Sequence, residues 1–212
     1  MERRERLGEF DYTWDEGCFP LGGDSLALGG FATVRPGWRV CDLGCGAGLL
    51  GILLLAREGS LRLTGVELDG GTAARARRNL EENGLEGEIV SGDLRLREHL
   101  PPAGSCDLVI SNPPYFAPGT GRSGGNARME HACTLEDLCA AAGYLLKNGG
   151  RFALVHRPER LCDLFCALRE RGMEPKRLRL VRHGPAHPPS AALVEAVCQG
   201  KPGLDILPDL VS

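Results

Sequence analysis

Arg39-Val40-Cys41-Asp42-Leu43-Gly44-Cys45-Gly46-Ala47-Gly48-Leu49-Leu50 decides how the rest of the chain is read. A short apolar strand over residues 39–43 runs into three alternating glycines and then into a helical pattern over residues 49–58 that carries Leu50, Leu53, Leu54 and Leu55. Glycines at a strand-to-helix junction allow a tight turn and let a ligand come close to the main chain. Such a turn alone also suits nicotinamide and flavin dinucleotides. The acid ahead of it separates the cases. Asp42 at the mouth of the turn suits a cationic ligand end, whereas a pyrophosphate prefers a helix N-terminus with no carboxylate in front of it.

Beyond this turn, short apolar runs keep alternating with helical patterns. Strands are expected at residues 61–67, 88–90, 106–111 and 150–155, and helices at 71–83, 135–146 and 158–171. The stretch 94–100 reads as helical or irregular. On the second helix Arg75, Arg77 and Arg78 are expected to face water. Two last apolar runs, 177–181 and 193–199, have no helix between them and are joined by the loop chemistry of His183-Gly184-Pro185-Ala186-His187-Pro188-Pro189, so they read as a hairpin. The expected fold is therefore α/β and Rossmann-like: a seven-stranded, mostly parallel sheet with a C-terminal antiparallel hairpin and helices on both faces. With no linker or repeat, 1–212 reads as one domain, in which 1–37 is an extension covering the ligand site and 38–212 the sheet core. The glycine-rich stretch 119–126 reads as a mobile loop within it.

Composition bounds the setting. The chain of 212 residues is 42% hydrophobic and 25% charged, and no apolar run approaches the roughly 20 residues needed to span a bilayer. The charged start Met1-Glu2-Arg3-Arg4-Glu5-Arg6 lacks the apolar core of a secretory signal, so a cytoplasmic location is expected. Nine cysteines with no Cys-x-x-Cys pair suit reduced, mostly buried thiols. Cys162 and Cys166 share a helical face without a second Cys/His pair, and they read as core rather than as metal ligands. The net charge of −3 gives no global sign of a polyanionic partner. Between Lys147 and His183, however, ten Lys and Arg residues stand against four acids.

The chemistry sits at the strand ends. Glu67 lies 21 positions after Gly46 and closes its apolar run, where a carboxylate can accept from both hydroxyls of a ribose. Asp69 is the alternative for the same role. Asp93 closes the third strand and can accept from the amino group of an adenine, or else cap the segment that follows. Asn112-Pro113-Pro114-Tyr115 directly follows the fourth strand. Consecutive prolines fix the backbone and remove two donors, so the Asn112 side-chain oxygen and the Pro113 carbonyl can both accept from one planar NH2 group. Such bonds draw that nitrogen towards tetrahedral geometry and free its lone pair to attack a methyl carbon in line with its leaving group. Tyr115 can stack on the face of the target.

On these residues the chain resembles the class I amino-methyltransferases. The resemblance implies the class I methyltransferase sheet, a cofactor loop at Asp42, Gly44, Gly46 and Gly48, a ribose acid at Glu67, an adenine contact at Asp93 and a catalytic motif at Asn112, Pro113, Pro114 and Tyr115. It implies S-adenosylmethionine as cofactor, S-adenosylhomocysteine as its product, and no metal. Phe19-Pro20-Leu21-Gly22-Gly23-Asp24-Ser25 is similar to the segment that precedes strand one in this superfamily and lies against the cofactor, which adds Asp24 to the cofactor set. Downstream, Ala127-Arg128-Met129-Glu130-His131, Thr134 to Leu138 and Leu145 to Arg151 resemble the bacterial enzymes that methylate N6 of adenine 37 in a valine tRNA. A tRNA substrate is thereby implied, with Arg128, Lys176, Arg177 and Arg179 expected on its phosphates. Two alternatives stay open: N5-methylation of a glutamine in a protein such as a release factor, which uses the same motif, and a non-catalytic cofactor- or RNA-binding scaffold. No membrane partner is expected, and the sequence leaves monomer and homodimer both open.

Overall fold

The computed structural model of the protein describes residues 2–15, 21–113 and 133–211. It opens with a hairpin, β1 (Arg3–Leu7) and β2 (Phe10–Trp14), followed by α1 (Gly23–Phe31). The sheet units follow as β3 (Arg39–Leu43), α2 (Leu49–Arg57), β4 (Arg62–Glu67), α3 (Gly70–Glu82), β5 (Gly87–Ser91) and β6 (Cys106–Ser111). The C-terminal part holds α4 (Leu135–Leu145), β7 (Leu146–His156), α5 (Leu161–Glu170), β8 (Met173–Arg182) and β9 (Ala191–Cys198), with the short β10 (Asp205–Ile206) and β11 (Leu210–Val211) last.

Seven strands lie in the order β8-β9-β7-β6-β3-β4-β5, all parallel except β9, and β10 and β11 extend this sheet by pairing in parallel with β8. The expected seven-stranded sheet with its antiparallel hairpin is therefore its core, enlarged at one edge by two strands too short to leave a periodic signal. The chain winds outward from β3 to β4 and β5, then returns to place β6 on the other side of β3. That reversal opens a crevice beyond the carboxyl ends of β3 and β6, the usual ligand position in open α/β sheets.

Helices cover both faces. Val40, Leu108, Ile110 and Val155 pack under Leu28 and Phe31 of α1, Leu50 and Leu54 of α2, and Ala76 and Leu80 of α3. Cys41, Leu43, Val109, Phe152 and Leu154 pack on the other side under Leu138 and Leu145 of α4 and Leu164 and Leu168 of α5. Strands buried on both sides read as continuous apolar runs, which is why their positions were visible in the sequence. Two of the helices start on side-chain caps. The Asp69 side chain accepts from Thr72 N at 2.8 Å, and Thr134 and Asp137 form a reciprocal capping box on α4.

Several expectations are corrected. Residues 3–14 form a hairpin although Arg3, Arg4, Glu5 and Arg6 make the first strand read as a charged tail; the alternation of Phe10, Tyr12 and Trp14 was the overlooked sign. Tyr12 and Trp14 join the α1–α3 core. Cys162 and Cys166 are exposed rather than core, because Leu164, Ala167 and Leu168 choose the buried face of α5 and residues two positions away fall opposite. Of the three arginines on α3 only Arg78 is exposed. Arg75 pairs with Glu2 at 3.0 Å, and Arg77 donates to the Ile89 carbonyl at 2.7 Å. β7 and β8 each begin four residues earlier than their apolar runs suggested, since Leu146 still pairs with Cys106 across an irregularity that ends at Arg151, and Met173 to Pro175 pair with β9.

Candidate active site

The turn after β3 has the conformation its glycines were read to require. Gly44, Gly46 and Gly48 take φ values of +71°, +55° and +87°, a region that side-chain-bearing residues avoid. Around Gly44 and Gly46 a Cβ would meet nothing within 4 Å, so there is open space beside the main chain. The turn is tied to the next strand end: Gly44 N and Cys45 N donate to the Val66 carbonyl at 2.8 and 3.1 Å, and Gly46 N donates to Glu67 Oε2 at 2.9 Å.

Glu67 thus has a double part. It is 4% exposed, and its Oε1 accepts from Asp69 N at 2.9 Å, so each oxygen is oriented by one main-chain N–H and keeps lone-pair capacity for another donor. Asp69, the alternative for that role, is engaged as the cap of α3. Beside Glu67, Leu68 is 52% exposed, an apolar surface at the same strand end that sequence reasoning did not single out. A large apolar side chain left open next to a polar acid suits the flat face of a base.

Asp42 is the electrostatic centre. It is 1% exposed, and neither carboxylate oxygen has a hydrogen-bond partner. Removal from water, with the nearby Glu67 charge second, pushes its carboxyl up to about 8. An orphaned buried carboxylate costs free energy unless something positive meets it. The chain supplies no such partner among the described residues. Asp42, the open side of the glycine turn and Glu67 therefore fit a ligand with a cationic end and a ribose, as expected for S-adenosylmethionine.

Asp93 is less available than its position suggested. Its carboxylate accepts from the Arg95 main-chain N at 2.9 Å and from Arg95 Nε at 3.0 Å, and this guanidinium holds the carboxyl below the usual range. Any base amine at Asp93 shares it with Arg95.

Asn112 lies past the end of β6, in the crevice. Its Nδ2 donates to Ser25 Oγ of α1 at 2.7 Å, and among the described residues Oδ1 accepts no hydrogen bond. Pro113 is buried beside it. Pro114, Tyr115, Arg128 and the stretch 119–126 lie outside the described residues. Asp24, expected at the cofactor, sits in the first turn of α1, one residue before Ser25.

The expected phosphate contacts do not form one surface. Arg177 is turned under the end of α1: it donates to Thr33 Oγ1 at 2.9 Å and Glu195 Oε1 at 3.2 Å, and it stands 4.5 Å from the centre of the Phe31 ring. Glu195, fully buried, also receives Arg151 at 2.6 Å and the Thr33 main chain at 2.8 Å. Lys176 donates to the Lys201 carbonyl at 3.2 Å, and Arg179 Nε is buried without a partner. Arg177 was expected on RNA because it lies in the stretch where ten Lys and Arg residues stand against four acids; its neutralising acid is on the adjoining strand.

Among the described residues no group of three or more His, Cys, Asp and Glu side chains could hold a metal ion, and no helix is long and apolar enough to cross a membrane.

Known proteins resemble this chain in sequence and in fold. A family model described as the methyltransferase small domain matches residues 28–164, which include the glycine turn, Glu67 and Asn112. A tRNA1(Val) (adenine(37)-N6)-methyltransferase of Parabacteroides distasonis is 30% identical over 189 residues, covering 86% of this chain and 78% of that protein. One of the same name from Porphyromonas gingivalis is 34% identical over 193 residues, covering 84% and 75%. Among solved structures, a protein described as a predicted O-methyltransferase from Agrobacterium tumefaciens matches with a TM-score of 0.74 at 25% identity, over 89% of this chain and 86% of that one.

Proposed function

The chain belongs to the methyltransferase small domain family, and from that premise we propose that it transfers a methyl group from S-adenosylmethionine to the exocyclic N6 amine of an adenine in tRNA, adenine 37 of a valine tRNA being the expected position. The observation that carries this reading is the Asn112 amide. One hydrogen of its donor end is taken by Ser25, its oxygen accepts nothing among the described residues, and the residue follows the end of β6, next to β3, which leads Asp42 into the glycine turn. An amide presented in that way accepts from an NH2 group and repels a bare carbonyl or ring nitrogen.

S-adenosylmethionine supplies, when bound, a methyl on a positively charged sulfur. Everything else is positioning. Asp42 receives the cationic end of the ligand, and Glu67, held by Gly46 and Asp69, receives ribose hydroxyls. Asn112 Oδ1, with the Pro113 carbonyl, holds the target amine by its two hydrogens and turns its lone pair towards the methyl. The proton lost from the methylated nitrogen passes to solvent, so no protein base is required.

The tRNA part of the reading rests on the relatives, whose name specifies that substrate and whose likeness runs over most of the chain. A cytoplasmic setting follows from it, since reduced, unpaired cysteines and a tRNA substrate belong to the same compartment. Incubation of the purified protein with tritiated cofactor and either bulk bacterial tRNA or a release factor tests the substrate class. Label is expected in the tRNA; label in the protein alone would replace adenine by glutamine.

A further inference from the structure

An asparagine amide serves a target NH2 only in one orientation. With Oδ1 facing the target it accepts; rotated by half a turn, it presents its own NH2 and repels. Something must hold the amide in place at the target, and the residue bonded to it is Ser25, whose hydroxyl can meet either end of an amide. The Ser25 Oγ to Asn112 Nδ2 distance is 2.7 Å, Ser25 is 8% exposed, and neither side chain makes another hydrogen bond among the described residues.

The helix that carries Ser25 is anchored at its far end. Arg57 donates to the carbonyls of Gly29 and Ala32, the latter at 2.9 Å, and so closes the C-terminus of α1. The buried Glu195 holds Thr33 by its main chain at 2.8 Å and its hydroxyl at 2.9 Å. Midway along, a Cβ on Gly29 would come within 2.9 Å of Leu53, so α1 and α2 touch closely. A serine on a helix held in this way is a fixed reference point for a side chain that follows a strand.

We propose that Ser25 is a positioning residue for methyl transfer, which holds the Asn112 amide in place beside the target amine and thereby couples the anchored α1 to the catalytic motif. The proposal rests on the reading of Asn112 as acceptor of that amine. It assigns to the Glu195–Arg177–Thr33 cluster a role in catalysis that runs through helix placement, not through RNA.

Ser25→Ala and Ser25→Thr test it. Alanine is the better helix former, so the first variant does not weaken α1 by propensity. In Ser25→Ala, kcat on tRNA is expected to fall roughly 10- to 100-fold, the scale of a misplaced reacting group, with cofactor Kd and tRNA KM within about two-fold of wild type. Ser25→Thr, which keeps the hydroxyl, restores most of the rate. In the protein bound to S-adenosylhomocysteine, the Asn112 side-chain amide is expected to give a shifted, exchange-protected NMR signal that Ser25→Ala abolishes. Wild-type turnover with an unchanged Asn112 signal in Ser25→Ala overturns the proposal, as does a loss of cofactor binding that matches the loss of rate. A wild-type protein that methylates no tRNA, yet loses the Asn112 signal on Ser25→Ala, would leave this pairing in place and refute the substrate instead.

Discussion

Asn79 Nδ2 stands 2.8 Å from the carbonyl oxygen of Ala47, so a buried amide on α3 holds the middle of the glycine turn. The same nitrogen donates to Thr13 O at 2.8 Å, and Oδ1 accepts from Thr13 N at 3.1 Å. One helical turn on, Asn83 repeats the arrangement with Asp11, giving to its carbonyl at 2.7 Å and accepting from its N–H at 2.8 Å. Two asparagines thus complete the free edge of β2 as another strand would. The N-terminal hairpin is thereby joined to the ligand turn through a single side chain.

Asn79→Ala is accordingly expected to destabilise the protein by about 3 kcal/mol, since it leaves Thr13 and Ala47 main-chain groups buried without partners. Cofactor affinity should fall along with it. Urea denaturation and calorimetric titration measure the two effects. Unchanged stability would mean that the hairpin docks by apolar contacts alone.

Asp42 gives the apo protein an unusual dependence on pH. Its folded value of about 8 lies above the roughly 3.9 of an unfolded aspartate. Between these values the folded state binds the extra proton, so stability declines as pH rises, by up to about 1.4 kcal/mol per pH unit, and levels off above about 8. Asp42→Asn should flatten that slope. A cationic ligand favours the carboxylate, so cofactor binding is expected to tighten from pH 6 to pH 8 and to release protons, which titration calorimetry in two buffers of different ionisation enthalpy reads directly. A pH-independent affinity would remove Asp42 from the cation's site.

Arg177 acts through the fold in this account, by holding the end of α1, and not through RNA. Arg177→Ala should cost about 2 kcal/mol through the loss of its contacts with Glu195 and the Phe31 ring. The slope of log affinity for tRNA against log salt should stay as in wild type. An unaltered melting temperature with a shallower salt slope would put Arg177 on the phosphates after all.

Gly46→Ala should bind cofactor more weakly with little change in packing, because φ is +55° there while a Cβ meets no neighbour. Equilibrium binding and a thermal melt separate the two. Intact binding would mean that the ligand does not approach the turn at this residue.

The sequence disclosed what local chemistry encodes. Strands buried on two faces, glycines forced to positive φ, and the strand-end position of Glu67 and Asn112 were legible because each is written within a few residues. What it withheld is long-range. Ser25 and Asn112 stand 87 positions apart, and Glu195 finds Thr33 across 162. Nothing near Arg177 marks it as buried, because the acid that neutralises it lies on the next strand and its aromatic partner at the end of α1. The hairpin was obscured for a different reason: β1 is charged along its whole exposed length, and the asparagines that dock β2 lie on a helix where they pass for ordinary surface residues.

The central claim is methyl transfer to an adenine amine held by Asn112. Mass spectrometry of nucleosides from tRNA incubated with the protein and S-adenosylmethionine tests it most directly, with Asn112→Ala run beside the wild type. The account predicts N6-methyladenosine with the wild type, almost none with Asn112→Ala, and cofactor binding retained in both. A methylated nucleoside other than N6-methyladenosine, or equal product from the two proteins, would contradict it.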